Sequence, residues 1–287
     1  MQATTTFSLM RPVKYYAGKT LLHIVLIVGA LFTSVPVYYM ISTSFKAERE
    51  VFAIPIHWFP ADFQWLDNYR KAFEIIPFGR FFLNSVIVTV SVVLITIVSS
   101  AIAGYGLAKY KFPGNNLCFM IILSTMMVPI QVILIPLYSL VDKLGWTNTY
   151  AGLIIPASMN AFGVYLMRQF CLTIPDELLD SGRIDGASEL GIFLRLILPL
   201  TKPALATLGI IIFKWSWNSL YWPMIVATRT EIMTLTVGMT LFDQPLREPY
   251  WTYIMAVSTV ATLPTIALFV SMQKYFIQGV VVSGLKG

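Results

Sequence analysis

Cysteine and histidine are nearly absent from this 287-residue chain, which has two of each. Cys118 and Cys171 lie in separate apolar stretches with no metal-ligand spacing, and two cysteines are too few for a disulfide framework. Both read as small hydrophobes, and the isolated His23 and His57 read as packing or interfacial residues. Charge is scarce as well: Asp, Glu, Lys and Arg make up 12% of the residues, about half the share usual in a soluble domain. No G-x-x-x-x-G-K-[ST] phosphate loop occurs, so the chain by itself is not expected to hydrolyse ATP. No constellation of acids, histidines and cysteines suits surface catalysis, so neither a catalytic residue nor a metal or cofactor site is expected. The net charge of +6 is distributed among loops, and nucleic acid is not an expected partner.

Apolar residues take up the space. They form 57% of the chain, with a mean hydropathy of +0.73, which places it in the membrane class. Six stretches reach the roughly 20 residues a crossing helix needs: about Thr20–Ser44, Phe81–Ala108, Leu117–Val141, Tyr150–Cys171, Ala204–Ala227 and Trp251–Phe276. The expectation is an all-α membrane protein with one six-span domain over 20–276, an N-terminal segment 1–19 and a tail 277–287. Ser99, Ser100, Ala101, Ala103, Gly104 and Gly106 predict close helix packing in the second span. Pro129 and Pro136 predict a bent third span, and Pro156, Ser158 and Asn160 an interrupted fourth. Between the first two spans, Phe52, Trp58, Phe59, Trp65 and Tyr69 suit a loop at the bilayer interface, or one that docks an external partner.

Basic residues suggest an orientation. With the N-terminus in the cytosol, the inner segments hold eleven bases and five acids, the outer loops eight bases and nine acids, and only Lys214 falls within a span. The positive-inside rule favours that arrangement, with both termini cytosolic. It also puts the segment Ile174–Pro203 in the cytosol, and this segment is the chain's tightest cluster of acids: Asp176, Glu177, Asp180, Asp185 and Glu189. Pro175 followed by two acids predicts a short helix ending near Gly182 or Arg183. Leu190, Phe193, Leu194, Ile197 and Leu198 predict a second, amphipathic helix, capped by Asp185 and ended by Pro199 and Pro203. Gly186 suits the turn between them. Such a hairpin is either a connector or a knob that fits a soluble partner.

The run IPDELLDSGRIDGASELGIFLRLILPLTKPAL resembles the EAA loop of bacterial ABC-importer permeases. Asp185-Gly186-Ala187 matches its Asp-Gly-Ala, and Leu198-Pro199 its ending. Asp180, Ser181 and Gly182 occupy the Glu-Ala-Ala positions, which keeps the acid but replaces both alanines, so Gly182 is expected to loosen the first helix. With TSFK at Thr43–Lys46, PFGRFFLNS at Pro77–Ser85, TMMVPIQVILIPLY at Thr125–Tyr138, WNSLYWP at Trp217–Pro223 and QKYFIQG at Gln273–Gly279, nearly the whole chain is similar to the carbohydrate branch, and to its maltose-permease G-type (MalG-like) subunit.

The resemblance implies a type I importer permease fold in the bacterial inner membrane, pairing as a heterodimer with a second related permease. It implies a cytosolic ATPase dimer that binds ATP and Mg, and an external solute-binding protein that delivers a sugar or oligosaccharide. A polyol, glycerol phosphate or acidic saccharide is the alternative cargo, and a stand-alone transporter or channel the alternative class. The expected ATPase-coupling residues are Glu177, Asp180, Ser181, Gly182, Asp185, Gly186 and Ala187. Candidates for the substrate pathway are the polar residues within spans: Gln131, Asn160, Lys214 and Asn218. A charged lysine near mid-span costs about 2.5 to 3.5 kcal/mol, so Lys214 is expected to face a cavity or a partner.

Overall fold

Backbone amides and carbonyls inside a bilayer have no water to bond, so long apolar runs fold as helices that satisfy their own polar groups. The computed structural model describes residues 10–242 and 250–284, and no strand occurs among them. The main helices are α1 (Met10–Ser44), α2 (Trp65–Ile75), α3 (Phe78–Lys109), α4 (Asn115–Thr125), α5 (Ile130–Lys143), α6 (Tyr150–Ser158) and α7 (Ala161–Leu172). They are followed by α8 (Asp176–Ile184), α9 (Glu189–Leu200), α10 (Lys202–Trp217), α11 (Tyr221–Val226), α12 (Leu235–Met239) and α13 (Trp251–Gly284). Stretches of α1, α3 and α13 are each long and apolar enough to cross a membrane. Three bent pairs qualify jointly, which gives six crossings if each pair counts as one.

The bends follow the helix breakers. α4 and α5 meet at 100°, with Pro129 extended immediately before α5. α6 and α7 meet at 41°, where Asn160 leaves the helical path and its side chain caps α7 by accepting from Gly163 N at 3.0 Å. The expected fifth span over 204–227 is not continuous: α10 ends at Trp217 and the short α11 resumes at Tyr221. At the chain ends, α1 begins ten residues before Thr20 and α13 continues past Phe276, so the expected terminal segments 1–19 and 277–287 are partly helical. Residues 1–9 and 285–287 lie outside the described residues.

The chain divides into two compact units. The smaller comprises residues 1–72 and 250–259, and buried polar side chains hold its loop in shape. Asn68 donates to the carbonyls of Ser44 and Lys46, and the fully buried Lys46 donates to His57 O and lies over the Tyr39 ring. Glu50 accepts from the amides of Ala61 and Asp62, both at 2.9 Å. Glu48 accepts from Trp251 N, Thr252 N and Thr252 Oγ1, a carboxylate at the positive end of α13. The interfacial aromatics Phe52, Trp58, Phe59 and Trp65 remain exposed on this pinned loop.

The larger unit, residues 73–249 and 260–287, is built along α3. Ser100 and Gly104 on α3 meet Gly163 and Met167 on α7 with no room between the backbones: a Cβ on Gly104 would stand 2.5 Å from Met167 Cβ and 2.8 Å from Arg168 N. Small residues thus set the helix separation, as their density predicts. Further along α3, Thr96 Oγ1 donates to Ser158 O, and Asn84 donates to the carbonyls of Glu231 and Met233 while accepting from Tyr150 OH. These bonds hold the broken ends of α6 and the segment before α12, where backbone groups would otherwise lack partners. A Gly104→Leu variant is expected to lose about 1–3 kcal/mol of stability through overpacking, visible as a lower melting temperature of the detergent-solubilised protein, whereas Gly106→Leu, beside which nothing lies within 4 Å, should melt like the parent.

Candidate functional site

The polar segment folds into a helical hairpin. α8 starts directly after Pro175, with Asp176 and Glu177 in its first turn where the helix dipole favours acids. It ends in a Schellman turn: Gly186 N–H bonds Arg183 O, Ala187 N–H bonds Gly182 O, and Gly186 sits at φ +78°. A side chain at that backbone conformation is strained, which is why glycine stands there. α9 is capped by Ser188, whose Oγ accepts from Gly191 N, and not by Asp185, which belongs to the end of α8.

Two further expectations are corrected. Pro199 does not end α9. Residues 193–197 form a π turn, with Leu198 N–H bonding Phe193 O, and this wider turn makes room for a proline that would clash in a regular helix. α9 continues to Leu200 and meets α10 at 73°. Nor does Gly182 loosen α8. It is buried where the two helices touch, and a Cβ there would stand 3.0 Å from Leu196 Cδ1.

The hairpin rests on its apolar inner side: Leu179, Ile192, Phe193 and Ile197 are buried. Leu190 and Leu194 of the expected apolar face are exposed, and with Leu198 they line a groove of about 560 Å³ that runs along α3 past Ile102 and Tyr105. The outer side carries Glu177, Asp180, Ser181, Asp185, Gly186 and Ala187, all exposed. At the tip Ile184 is 86% exposed, an apolar residue beside acids and a rigid turn. Periodicity gave no sign of Ile184, because a lone apolar residue before a turn has no pattern to belong to.

Ion pairs fasten the hairpin to itself and to the end of α3. Arg183 reaches Asp180 Oδ1 at 2.9 Å and Glu189 Oε1 at 2.8 Å, bridging α8 and α9. Lys109 Nζ donates to Ile174 O and, at 2.6 Å, to Asp176 Oδ1, with its own side chain only 4% exposed. Tyr110 OH donates to Glu189 Oε2 at 2.6 Å. The Lys109 bond holds the Asp176 carboxyl below its ordinary range, and the bonds from Arg183 and Tyr110 do the same for Glu189. Desolvation and the adjoining Glu189 carboxylate push the Tyr110 phenol up.

The four pathway candidates do not converge. A cavity of about 200 Å³ lies among α3, α6, α10 and α11, lined in part by Val88, Asn160, Trp215, Ser216, Ser219 and Trp222. Of the four, only Asn160 reaches it, and its Oδ1 already caps α7. Gln131 is exposed in the first turn of α5, and the exposed Asn218 donates to Lys214 O at 2.8 Å, closing the end of α10. Lys214 is exposed, and its ammonium has no ion-pair or hydrogen-bond partner among the described residues. No pattern along the chain groups Trp215, Ser216, Ser219 and Trp222, since four neighbouring apolar and small residues look like ordinary span until the break after Trp217 turns them toward one space.

Among the described residues the chain is all-helical, with three helices and three bent pairs long and apolar enough to cross a membrane and an acidic hairpin between two of them. Residues 95–282 match the family described as "Binding-protein-dependent transport system inner membrane component". The chain is 39% identical over 223 residues to the arabinooligosaccharides transport system permease protein AraQ of Bacillus subtilis, covering 77% of this chain and 79% of that one. It is 31% identical to the sn-glycerol-3-phosphate transport system permease protein UgpE of Pectobacterium atrosepticum, covering 90% and 94%. A crystal structure of a bacterial ABC transporter involved in the import of the acidic polysaccharide alginate superposes with a TM-score of 0.80 at 25% identity, covering 95% of this chain and 100% of that one. This chain belongs to the binding-protein-dependent transport system inner membrane components, as an ABC-importer permease of the MalG-like type in the bacterial inner membrane.

Because Asp176 and Glu189 have depressed folded pKa values, their contribution to holding the hairpin is complete above the unfolded carboxylate value and is lost as pH falls through the folded one. Hydrogen exchange over residues 176–192, corrected for intrinsic rates, should be constant from about pH 8 to pH 5 and accelerate below about pH 4.

Proposed function

We propose that this chain forms half of the translocation pathway of a sugar or oligosaccharide importer, and that α8–α9 is where cytosolic ATPase movement enters it. The exposed tip Ile184-Asp185-Gly186-Ala187 carries the reading. It offers an apolar side chain and acids on a turn whose backbone is fixed by Gly186, a shape suited to a socket on a soluble partner. In the orientation favoured by the basic residues, both termini and the hairpin lie in the cytosol and the aromatic loop lies outside, within reach of a solute-binding protein. The second permease completes the pathway, and the ATPase pair binds ATP and Mg. Alternating access then follows from rigid-body movement of the hairpin against the spans.

The cavity beside α10 supports a carbohydrate cargo. Its indoles Trp215 and Trp222 offer flat apolar faces for a sugar ring, and Asn160, Ser216 and Ser219 offer hydroxyl partners. The relatives named for arabinooligosaccharides and the alginate importer point the same way. One observation favours a second reading, a glycerol phosphate or acidic saccharide: Lys214 is a cation within a span that has no partner among the described residues.

Gly186→Asp should insert into the membrane at parental levels yet recover less than about a tenth of the ATPase on co-purification, because the tip backbone is forced out of shape; undiminished ATPase assembly together with normal transport would refute the docking role. Lys214→Leu in reconstituted vesicles separates the cargoes. A selective fall of about tenfold in uptake of anionic substrates supports the second reading, and rates equal to the parent for every sugar tried remove Lys214 from substrate recognition.

A further inference from the structure

Two consecutive residues at the end of α3, Lys109 and Tyr110, each grip a different helix of the hairpin. Lys109 binds the entry to α8 through Ile174 O and Asp176 Oδ1. Tyr110 binds the entry to α9 through Glu189 Oε2, and Glu189 is in turn clamped to α8 by Arg183. The Tyr110 ring stands edge-on to Tyr105 of α3 at 5.5 Å, and Tyr105 lies against Phe193 of α9 at 5.2 Å. Asn115 closes the turn beneath them by donating to Tyr110 O at 2.8 Å.

From this geometry we infer that Lys109 and Tyr110 are the positioning residues that transmit hairpin displacement into α3. The inference rests on the coupling role proposed for α8–α9. Covalent continuity alone would pass movement into α7 and α10 through the bends at Thr173–Pro175 and at Thr201, where the chain can hinge. The link to α3 has no such hinge. Lys109 is the last residue of a 32-residue helix, and its buried side chain ties that helix end to the hairpin by charge-assisted bonds. α3 carries the displacement along its axis for about 30 Å, the rise of some twenty helical residues, to Val88 and Val92 on the cavity wall. Close packing at Gly104 and Gly163 obliges α7 to follow.

This role differs from that of the tip. Tip residues determine whether the ATPase binds, whereas Lys109 and Tyr110 face the permease and determine whether its movement is used. The two can therefore fail separately. Tyr110→Phe keeps the ring contact with Tyr105 and removes only the donor to Glu189. Lys109→Met keeps the length of the stem and removes the charge. Lys109→Arg retains a donor for Asp176.

The assay uses the whole complex in proteoliposomes, with its binding protein and the sugar that protein carries, and measures uptake and ATP hydrolysis together. Tyr110→Phe and Lys109→Met should assemble with the ATPase like the parent and hydrolyse ATP, while sugar moved per ATP falls about tenfold. Lys109→Arg should recover most of that ratio. A ratio equal to the parent in both loss variants overturns the inference. Loss of ATPase assembly in Tyr110→Phe also overturns it, because the pair would then be part of docking. If the ATPase fails to assemble with the tip variant Gly186→Asp while Tyr110→Phe assembles uncoupled, docking and transmission are separate. If Gly186→Asp assembles and transports normally, the coupling role of the hairpin falls first, and with it the basis of this inference.

Discussion

Everything in the larger unit depends on how closely α3 and α7 can approach. A bilayer gives two apolar helices little reason to associate, since lipid tails are as apolar as their side chains, so packing itself must hold them. Gly104 and Gly163 remove the side chains that would keep the backbones apart, and Ser100 and Met167 fill the contact. Once α3 and α7 are fixed, the polar bonds from Thr96 and Asn84 have fixed targets, and the broken helices α6, α10 and α11 can be held around a cavity without leaving backbone groups exposed to lipid.

The same scaffold gives the hairpin a firm seat. Its inner face is buried in the ordinary way by Leu179, Ile192 and Ile197. Its outer face has little to gain from burial and is shaped by a Schellman turn and the Arg183 bridge. A protruding element of this kind must be rigid on its own if it is to act as a lever, and must be fastened to more than its two flanking helices if it is to move more than those two. The contacts of Lys109 and Tyr110 meet the second requirement at the one end of α3 that faces the hairpin.

Much of this was legible in the chain. Six apolar stretches, the small-residue half of the second span, the breaks near Pro129 and Asn160, the hairpin and its turn at Gly186 all follow from patterns with a short range: composition, periodicity and turn chemistry. The errors have a common source. Asp185 was expected to cap α9 and Pro199 to end it, because those residues do so in isolation. In the fold Asp185 belongs to the preceding helix, and a π turn accommodates Pro199. Gly182 looks like a weak point along the chain, yet it is a contact, since its value depends on Leu196 and Ile192 coming close.

The sequence by itself determined the class of protein, the number of apolar stretches and the location of the acidic hairpin, because hydrophobic length and local turn geometry are properties of neighbouring residues. Only the tertiary structure decided what each polar residue is for. Asn160 and Asn218 spend their side chains on helix ends, Lys214 has no partner among the described residues, and Lys109 and Tyr110, which no pattern along the chain singles out, reach Asp176 and Glu189 more than sixty residues away. Such bonds are set by which helix ends the packing brings together, and no local pattern encodes that.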